Sequence, residues 1–91
     1  MHNSRILIAD DDPDIVFAIS KLLQGEGFAT IGASNGAEAL RVLDTQKIDL
    51  LIIDVMMPVM DGFTAIVKIR ETRGIPIIAL SAKSEDTDKI L

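Results

Sequence analysis

Ile6-Leu7-Ile8-Ala9-Asp10-Asp11-Asp12-Pro13 runs from four apolar residues into three consecutive acids and a proline. A short apolar run without alternation suits a strand covered on both faces, the habit of parallel sheets. Asp12-Pro13 then reads as a helix start, with Asp at the N-cap and Pro at the first helical position. Ile15, Val16, Ile19, Leu22 and Leu23 follow at helical spacing as one apolar stripe, which Gly25 and Gly27 end.

Outward from this stretch lie three more apolar runs: Phe28-Ala29-Thr30-Ile31, Leu50-Leu51-Ile52-Ile53 and Ile75-Pro76-Ile77-Ile78-Ala79-Leu80. The run at Phe28 is the weakest of the four, as expected nearer a sheet edge. The other two are continuous, like the first. Helical segments separate them. Asn35-Gly36-Ala37-Glu38 has capping-box spacing, with Leu40 and Leu43 on one face behind it. Asp61-Gly62 precedes Phe63, Ile66, Val67 and Ile69 at helical spacing, and Arg73-Gly74 closes that segment. Ser84 is placed to cap a last helix with Glu85, Asp86, Ile90 and Leu91. The order is β-α-β-α-β-α-β-α. Right-handed crossovers put helices on both faces of an open parallel sheet, so the expected fold is a doubly wound α/β fold. No internal repeat, low-complexity tract or linker interrupts it.

The bulk numbers fit one small domain. The 91 residues carry nine Lys and Arg against 14 Asp and Glu, a net charge of −5. That balance disfavours sequence-independent nucleic-acid binding, which needs clustered cations. There is no cysteine, hence no disulfide framework and no thiolate chemistry. The apolar runs are strand-sized, far short of a membrane span. Met1-His2-Asn3-Ser4-Arg5 does not read as a signal peptide, and His2 reads as part of a loose terminus. A cytoplasmic location is expected.

In a doubly wound sheet, sites form at the carboxyl ends of the strands. Asp10, Asp11 and Asp12 follow the first strand, Asp54 follows the third and Ser81 follows the fourth. If the first and third strands are neighbours, these side chains converge. Two unit charges 4 Å apart repel by ~1 kcal/mol in water and ~4 kcal/mol at an effective dielectric of 20. Such a cluster calls for a counter-charge, and a hard divalent cation with oxygen ligands suits it. Mg²⁺ is the first candidate and Mn²⁺ the second. Such an ion offsets charge on a transferring phosphoryl group. Asp54, the lone acid after the most central run, is the nucleophile candidate, and its attack on phosphorus gives an aspartyl phosphate. Ser81 is placed to donate a hydrogen bond to that phosphoryl group. Asp12 reads as a helix cap, and Asp14 and Asp61 as first-turn acids. Met56, Met57 and Met60 read as loop and core filling, since a methionine site wants a soft metal.

These stretches resemble the receiver domains of two-component response regulators. The resemblance rests on Ile6-Leu7-Ile8-Ala9-Asp10-Asp11-Asp12, on Asp54-Val55-Met56-Met57-Pro58-Val59-Met60-Asp61-Gly62 and on Ile77-Ile78-Ala79-Leu80-Ser81-Ala82. It implies a flavodoxin-like sheet of order 2-1-3-4. It implies that Asp54 takes a phosphoryl group from a sensor histidine kinase, with Asp11, Asp54 and the Met56 backbone carbonyl holding Mg²⁺. By the same resemblance Asp10 acts through a water on the metal, and Ser81 contacts the phosphoryl group. Ala82 leaves room for the phosphate, and Pro58 and Gly62 shape the loop after Asp54. The style is that of transcriptional regulators with a winged-helix output domain. Such a protein labels itself rather than turning over substrate, so it is not an enzyme in the usual sense.

The family pattern continues with more of a fourth helix, a fifth strand ending in a Lys-Pro pair, and a fifth helix. Lys83 and Lys89 come too early to supply that lysine. The expectation is therefore a receiver domain over residues 1–91, incomplete at its C-terminal side and with no output domain. Metal binding would survive, phosphorylation would be impaired, and the exposed Ile75–Leu80 edge would favour self-association.

Other readings compete. A structural or self-associating fragment with no signalling is the main one. A phosphohydrolase with Asp10 as nucleophile and Asp12 as second acid is another, but Pro13 and Asp14 replace the continuation such enzymes need. Asp10, Asp12 and Asp14 mimic the start of an EF-hand loop, yet Ile15 stands at the glycine position and Lys21 at the glutamate position. A dinucleotide-binding turn is disfavoured, because no glycine-rich stretch follows the first strand.

Overall fold

Ile6, Leu7, Ile8 and Ala9 are all buried, and they lie in a strand, β1 (Arg5–Ala9). The structure, a computed structural model, describes residues 4–55, 62–72 and 74–80. Its other strands are β2 (Ala29–Ala33), β3 (Leu50–Asp54) and β4 (Ile77–Leu80). Its helices are α1 (Pro13–Gly25), α2 (Gly36–Thr45) and α3 (Gly62–Thr72). All strand pairs are parallel and the sheet order is β2-β1-β3-β4, the doubly wound order expected.

Register fixes which residues share a face. Leu7 pairs with Ile31 on one side and Leu51 on the other, and Leu51 pairs with Ile77. With Ala9, Ala33 and Ile53 these residues build the main core, which Ala39 and Leu43 of α2 and Ala65 and Ile69 of α3 cover. The opposite face carries Ile6 and Ile8, with α1 packed over β1 and β2. There α1 comes very close to β2: a Cβ added at Gly32 would lie 2.9 Å from Val16 Cγ1. Gly32 is therefore what permits this helix–strand approach.

The helix ends obey local rules. Asp12 Oδ1 accepts from the Asp14 N–H at 2.9 Å, and Pro13 opens α1. At the other end the Phe28 N–H donates to Leu23 O and the Gly27 N–H to Gln24 O, a Schellman closure. Gly27 has φ 97°, a left-handed conformation that favours glycine.

Four expectations need correction. Leu22 does not join the α1 stripe and is 72% exposed. Val67 is likewise exposed, while Ala65 takes its place in the α3 stripe. The last strand starts at Ile77 rather than Ile75, although Pro76 O still accepts from the Leu51 N–H at 3.1 Å. Continuous burial holds for β1 only: Leu50 and Ile52 are half-buried, and Ile78 and Ala79 of β4 are exposed. The reason is topological, since α1 packs on β1 and β2 and β4 is the outer strand among the described residues. Ala29, Thr30 and Ile31 of the weak run fall in β2, which continues to Ala33 and is the other edge of the described sheet, while the Phe28 N–H closes α1 instead. The expected last helix from Ser84 lies outside the described residues.

Candidate functional site

β1 and β3 are neighbours, and the acids at their carboxyl ends meet. Asp10, Asp11 and Asp54 each present one carboxylate oxygen, and these three atoms lie within 4.8 Å of one another. Asp10 is 3% exposed and Asp54 2%, whereas Asp11 faces solvent. Two walls of the site are thus removed from water and one is open.

Backbone rungs set the two buried acids. The Asp10 N–H donates to Ala33 O at 3.0 Å, which extends the β1–β2 ladder one residue past the strand. The Val55 N–H does the same toward Leu80 O at 3.1 Å, just after Asp54. Asp10 Oδ1 also accepts from the Asp12 N–H at 2.9 Å, which orients its carboxylate within the turn. Asp12 spends its own carboxylate on the α1 cap and stays out of the cluster, as expected.

The donor set fits a hard cation. Three carboxylate oxygens converge, with no sulfur or imidazole beside them among the described residues, and one side is open for further oxygen ligands. Beside the cluster runs a groove of about 600 Å³, mostly apolar, whose walls include Asp10, Asp11, Val16, Phe17, Ser34 and Glu38. Glu38 sits in the first turn of α2. Its carboxyl is held below the usual range by the Ser34 N–H, then by the Ser34 hydroxyl, with burial acting in the opposite direction and Arg41 adding a lesser pull.

The capping box differs in one detail from the expected one. Asn35 Oδ1 accepts from the Glu38 N–H at 2.8 Å, as the spacing requires. Glu38 Oε1, however, reaches past the Asn35 N–H to the N–H and hydroxyl of Ser34. Neither this clamp nor the close approach at Gly32 was evident in the sequence. The Asn35–Glu38 spacing marked the cap but not its partner, and a strand glycine was the only hint of the approach. Met56, Ser81 and Ala82, named above for metal and phosphate contacts, lie outside the described residues, as do Pro58, Lys83 and Lys89.

A sequence model for the response regulator receiver domain matches residues 6–90. The chain belongs to the response regulator receiver domain family. Its relatives include Response regulator GtcR of Aneurinibacillus migulanus, 43% identical over 89 residues, covering 98% of this chain and 37% of the relative. Transcriptional regulatory protein YvrH of Bacillus subtilis is 44% identical over 91 residues, covering 99% and 38%. The receiver thus spans little more than a third of the length of these curated relatives. Among solved structures, the receiver domain of Francisella response regulator 1452 superposes with a TM-score of 0.84 at 35% identity. That match covers 96% of this receiver and 73% of the solved chain. Response regulator TrrA of Thermotoga maritima, solved in complex with Mg²⁺ and BeF, matches with a TM-score of 0.78 at 33% identity, covering 91% and 76%. Among the described residues of this receiver, no helix is long and apolar enough to cross a membrane.

Proposed function

We propose that this receiver takes a phosphoryl group onto Asp54 from the phosphohistidine of a sensor histidine kinase. The observation that carries the reading is the convergence of one oxygen each from Asp10, Asp11 and Asp54 at the carboxyl ends of β1 and β3. In the step itself, an Asp54 carboxylate oxygen forms a bond to phosphorus. The phosphorus–nitrogen bond of the phosphohistidine breaks, and its electron pair stays on the imidazole nitrogen. The phosphoryl group ends on Asp54, so the domain is labelled once per cycle instead of turning over a substrate.

Asp11 and Asp54 would hold a divalent cation directly, with the backbone carbonyl of Met56 as a further ligand and Asp10 at one remove. Mg²⁺ is favoured over Mn²⁺, and the structure of TrrA with Mg²⁺ and BeF supports that choice by likeness. When bound, the cation supplies positive charge that offsets the charge of the transferring group. Asp10 keeps its carboxylate aimed by accepting from the Asp12 N–H. Burial of Asp10 and Asp54 excludes water from one side of the site. Ser81 would donate to a phosphoryl oxygen, and Ala82 would leave that oxygen room. Relatives named as transcriptional regulatory proteins favour a DNA-binding output in the whole protein, controlled by the state of Asp54.

The test is direct. The purified chain is incubated with Mg²⁺ and a small acyl-phosphate donor, and its intact mass is recorded beside that of Asp54→Asn. One added phosphate in the parent and none in the variant is the expected result. No addition in a sample folded by circular dichroism would favour the rival reading of a structural fragment.

A further inference from the structure

The shifted capping contact of Glu38 sits one residue from the strand end that fixes Asp10. Ala33 O, the last carbonyl of β2, is the acceptor for the Asp10 N–H. The next residue, Ser34, gives both its N–H and its hydroxyl to Glu38 Oε1. In an ordinary capping box the glutamate bonds the N–H of the cap residue itself. Here that would be Asn35, two residues from Ala33. The contact to Ser34 instead clamps the residue directly bonded to Ala33. Glu38 is in turn anchored, because Asn35 Oδ1 accepts its N–H at 2.8 Å and Asn35 O accepts from the Ala39 N–H at 3.0 Å. Ala39 and Gly36 are buried, so the first turn of α2 is fixed to the core. A path thus runs from the buried Gly36 and Ala39 through the exposed Glu38–Ser34 hydrogen bonds, along the Ser34–Ala33 peptide link and across the Ala33 O hydrogen bond to the backbone of Asp10.

We infer that Glu38 is a positioning residue for the divalent-metal site, acting through Ser34 and Ala33 on Asp10. This rests on the metal reading above. A second observation agrees with it: Glu38, Ser34, Asp10 and Asp11 all line the same groove, so the clamp and the carboxylates occupy one connected space. Glu38 is absent from the cluster of converging oxygens, so it acts at one remove from the ion. Groups that orient metal ligands directly change affinity by about 10- to 100-fold when removed. A group one step further out is expected to give about 3- to 10-fold.

The experiment is a Mg²⁺ titration of the parent, Glu38→Ala, Glu38→Gln and Asn35→Ala, read from backbone amide signals, with a thermal melt of each. Glu38→Gln keeps the Oε1 acceptor, so it should bind Mg²⁺ close to the parent. Glu38→Ala should weaken Mg²⁺ about 3- to 10-fold. Asn35→Ala removes the α2 cap but leaves the Ser34 clamp, so it should lower the melting temperature at least as much and Mg²⁺ affinity less. Equal loss in Glu38→Gln and Glu38→Ala would mean that charge, not position, matters, and would overturn the inference. So would an unchanged affinity in Glu38→Ala, or affinity that follows melting temperature across all variants. If the parent itself shows no saturable shift, the metal reading fails and the inference falls with it; if only the variants disagree, the metal reading stands alone.

Discussion

Replacing Asp54 by Asn should stabilise the metal-free domain. The side chain keeps its shape and one acceptor oxygen, but the charge is gone. In the parent, the Asp54 carboxylate lies within 4.8 Å of an oxygen of Asp10 and one of Asp11. At that separation two unit charges repel by ~0.9 kcal/mol in water and ~3.5 kcal/mol at an effective dielectric of 20. The Asp10 pair is buried on both sides, so the higher figure applies; Asp11 is exposed, so the lower one does. The buried amide brings an N–H donor group that must be satisfied, which takes back about 1 kcal/mol or more. The net expectation is about 1–3 kcal/mol in favour of Asp54→Asn at neutral pH with a chelator present. For a domain of this size each kcal/mol raises the melting temperature by roughly 4–8 °C. Thermal unfolding followed by far-ultraviolet circular dichroism measures this, first with EDTA and then with Mg²⁺. At a Mg²⁺ concentration near a hundred times its dissociation constant the parent should gain about 2.7 kcal/mol, and Asp54→Asn much less. A variant that melts at or below the parent in EDTA would refute the repulsion argument, since it would mean the three acids do not strain the empty site.

Other outcomes follow from the same geometry. Gly32→Ala places a Cβ 2.9 Å from Val16 Cγ1, a side chain stiff at χ1, and should cost about 1–3 kcal/mol in urea unfolding; adding Val16→Ala should recover part of it. Leu51→Ala, at a residue with no exposure in the central strand, should cost about 2–5 kcal/mol by the same measurement. Glu38 and Asp49 have folded values held below their usual ranges, Asp49 chiefly by the Arg5 N–H at 2.9 Å. Depressed carboxylates stabilise the fold above their unfolded values, near pH 4, and that stabilisation is lost as pH falls through the lower folded values. Stability should therefore decline with acidification below about pH 4, and Asp49→Asn should flatten its share of that decline in a pH series of melts.

Much of the fold was legible because its signals are local. Four apolar runs at strand length, Asp12-Pro13 at a helix start and Asn35 with Glu38 at another each state a backbone preference that no distant contact overrode. The acids were legible for a different reason: strand ends in a parallel sheet face one way, so Asp10 and Asp54 had to share an edge once β1 and β3 were neighbours. What periodicity could not decide was rotation about each helix axis. At about 100° per residue, Leu22 lies about 120° round from Val16, and a stripe drawn through both is too wide. The approach at Gly32 selects Val16 as the inward direction and leaves Leu22 in water. Val67 fails in the same way, two residues from both Ala65 and Ile69 and hence about 160° from each. The Ser34 clamp was hidden because a capping box specifies two positions, whereas the third partner depends on how the chain enters the helix.

The conflict between stability and chemistry is concentrated at one sheet edge, and the surrounding structure explains how it is tolerated. Three like charges within 4.8 Å would spread apart if their backbones were free. They are not free. Asp10 is tied to Ala33 O and Val55 to Leu80 O, each by a rung that continues a sheet ladder beyond its strand. Moving either acid outward would break a rung and disturb Leu7, Ala9, Leu51 or Ile53, all with no exposure. Breaking a buried rung and loosening a close-packed interior costs on the order of a few kcal/mol, the same order as the repulsion it would relieve. The acids are thus held by a core that lies behind them and carries no charge of its own. Relief comes from outside, on the solvent side where Asp11 stands exposed, which is where a cation and a phosphoryl group would enter. Mutations that soften the β1–β3 core, Leu51→Ala among them, should therefore weaken Mg²⁺ binding even though they touch no ligand. Mg²⁺ affinity unchanged in a folded Leu51→Ala variant would show that the turns after the strands, rather than the core, hold the site.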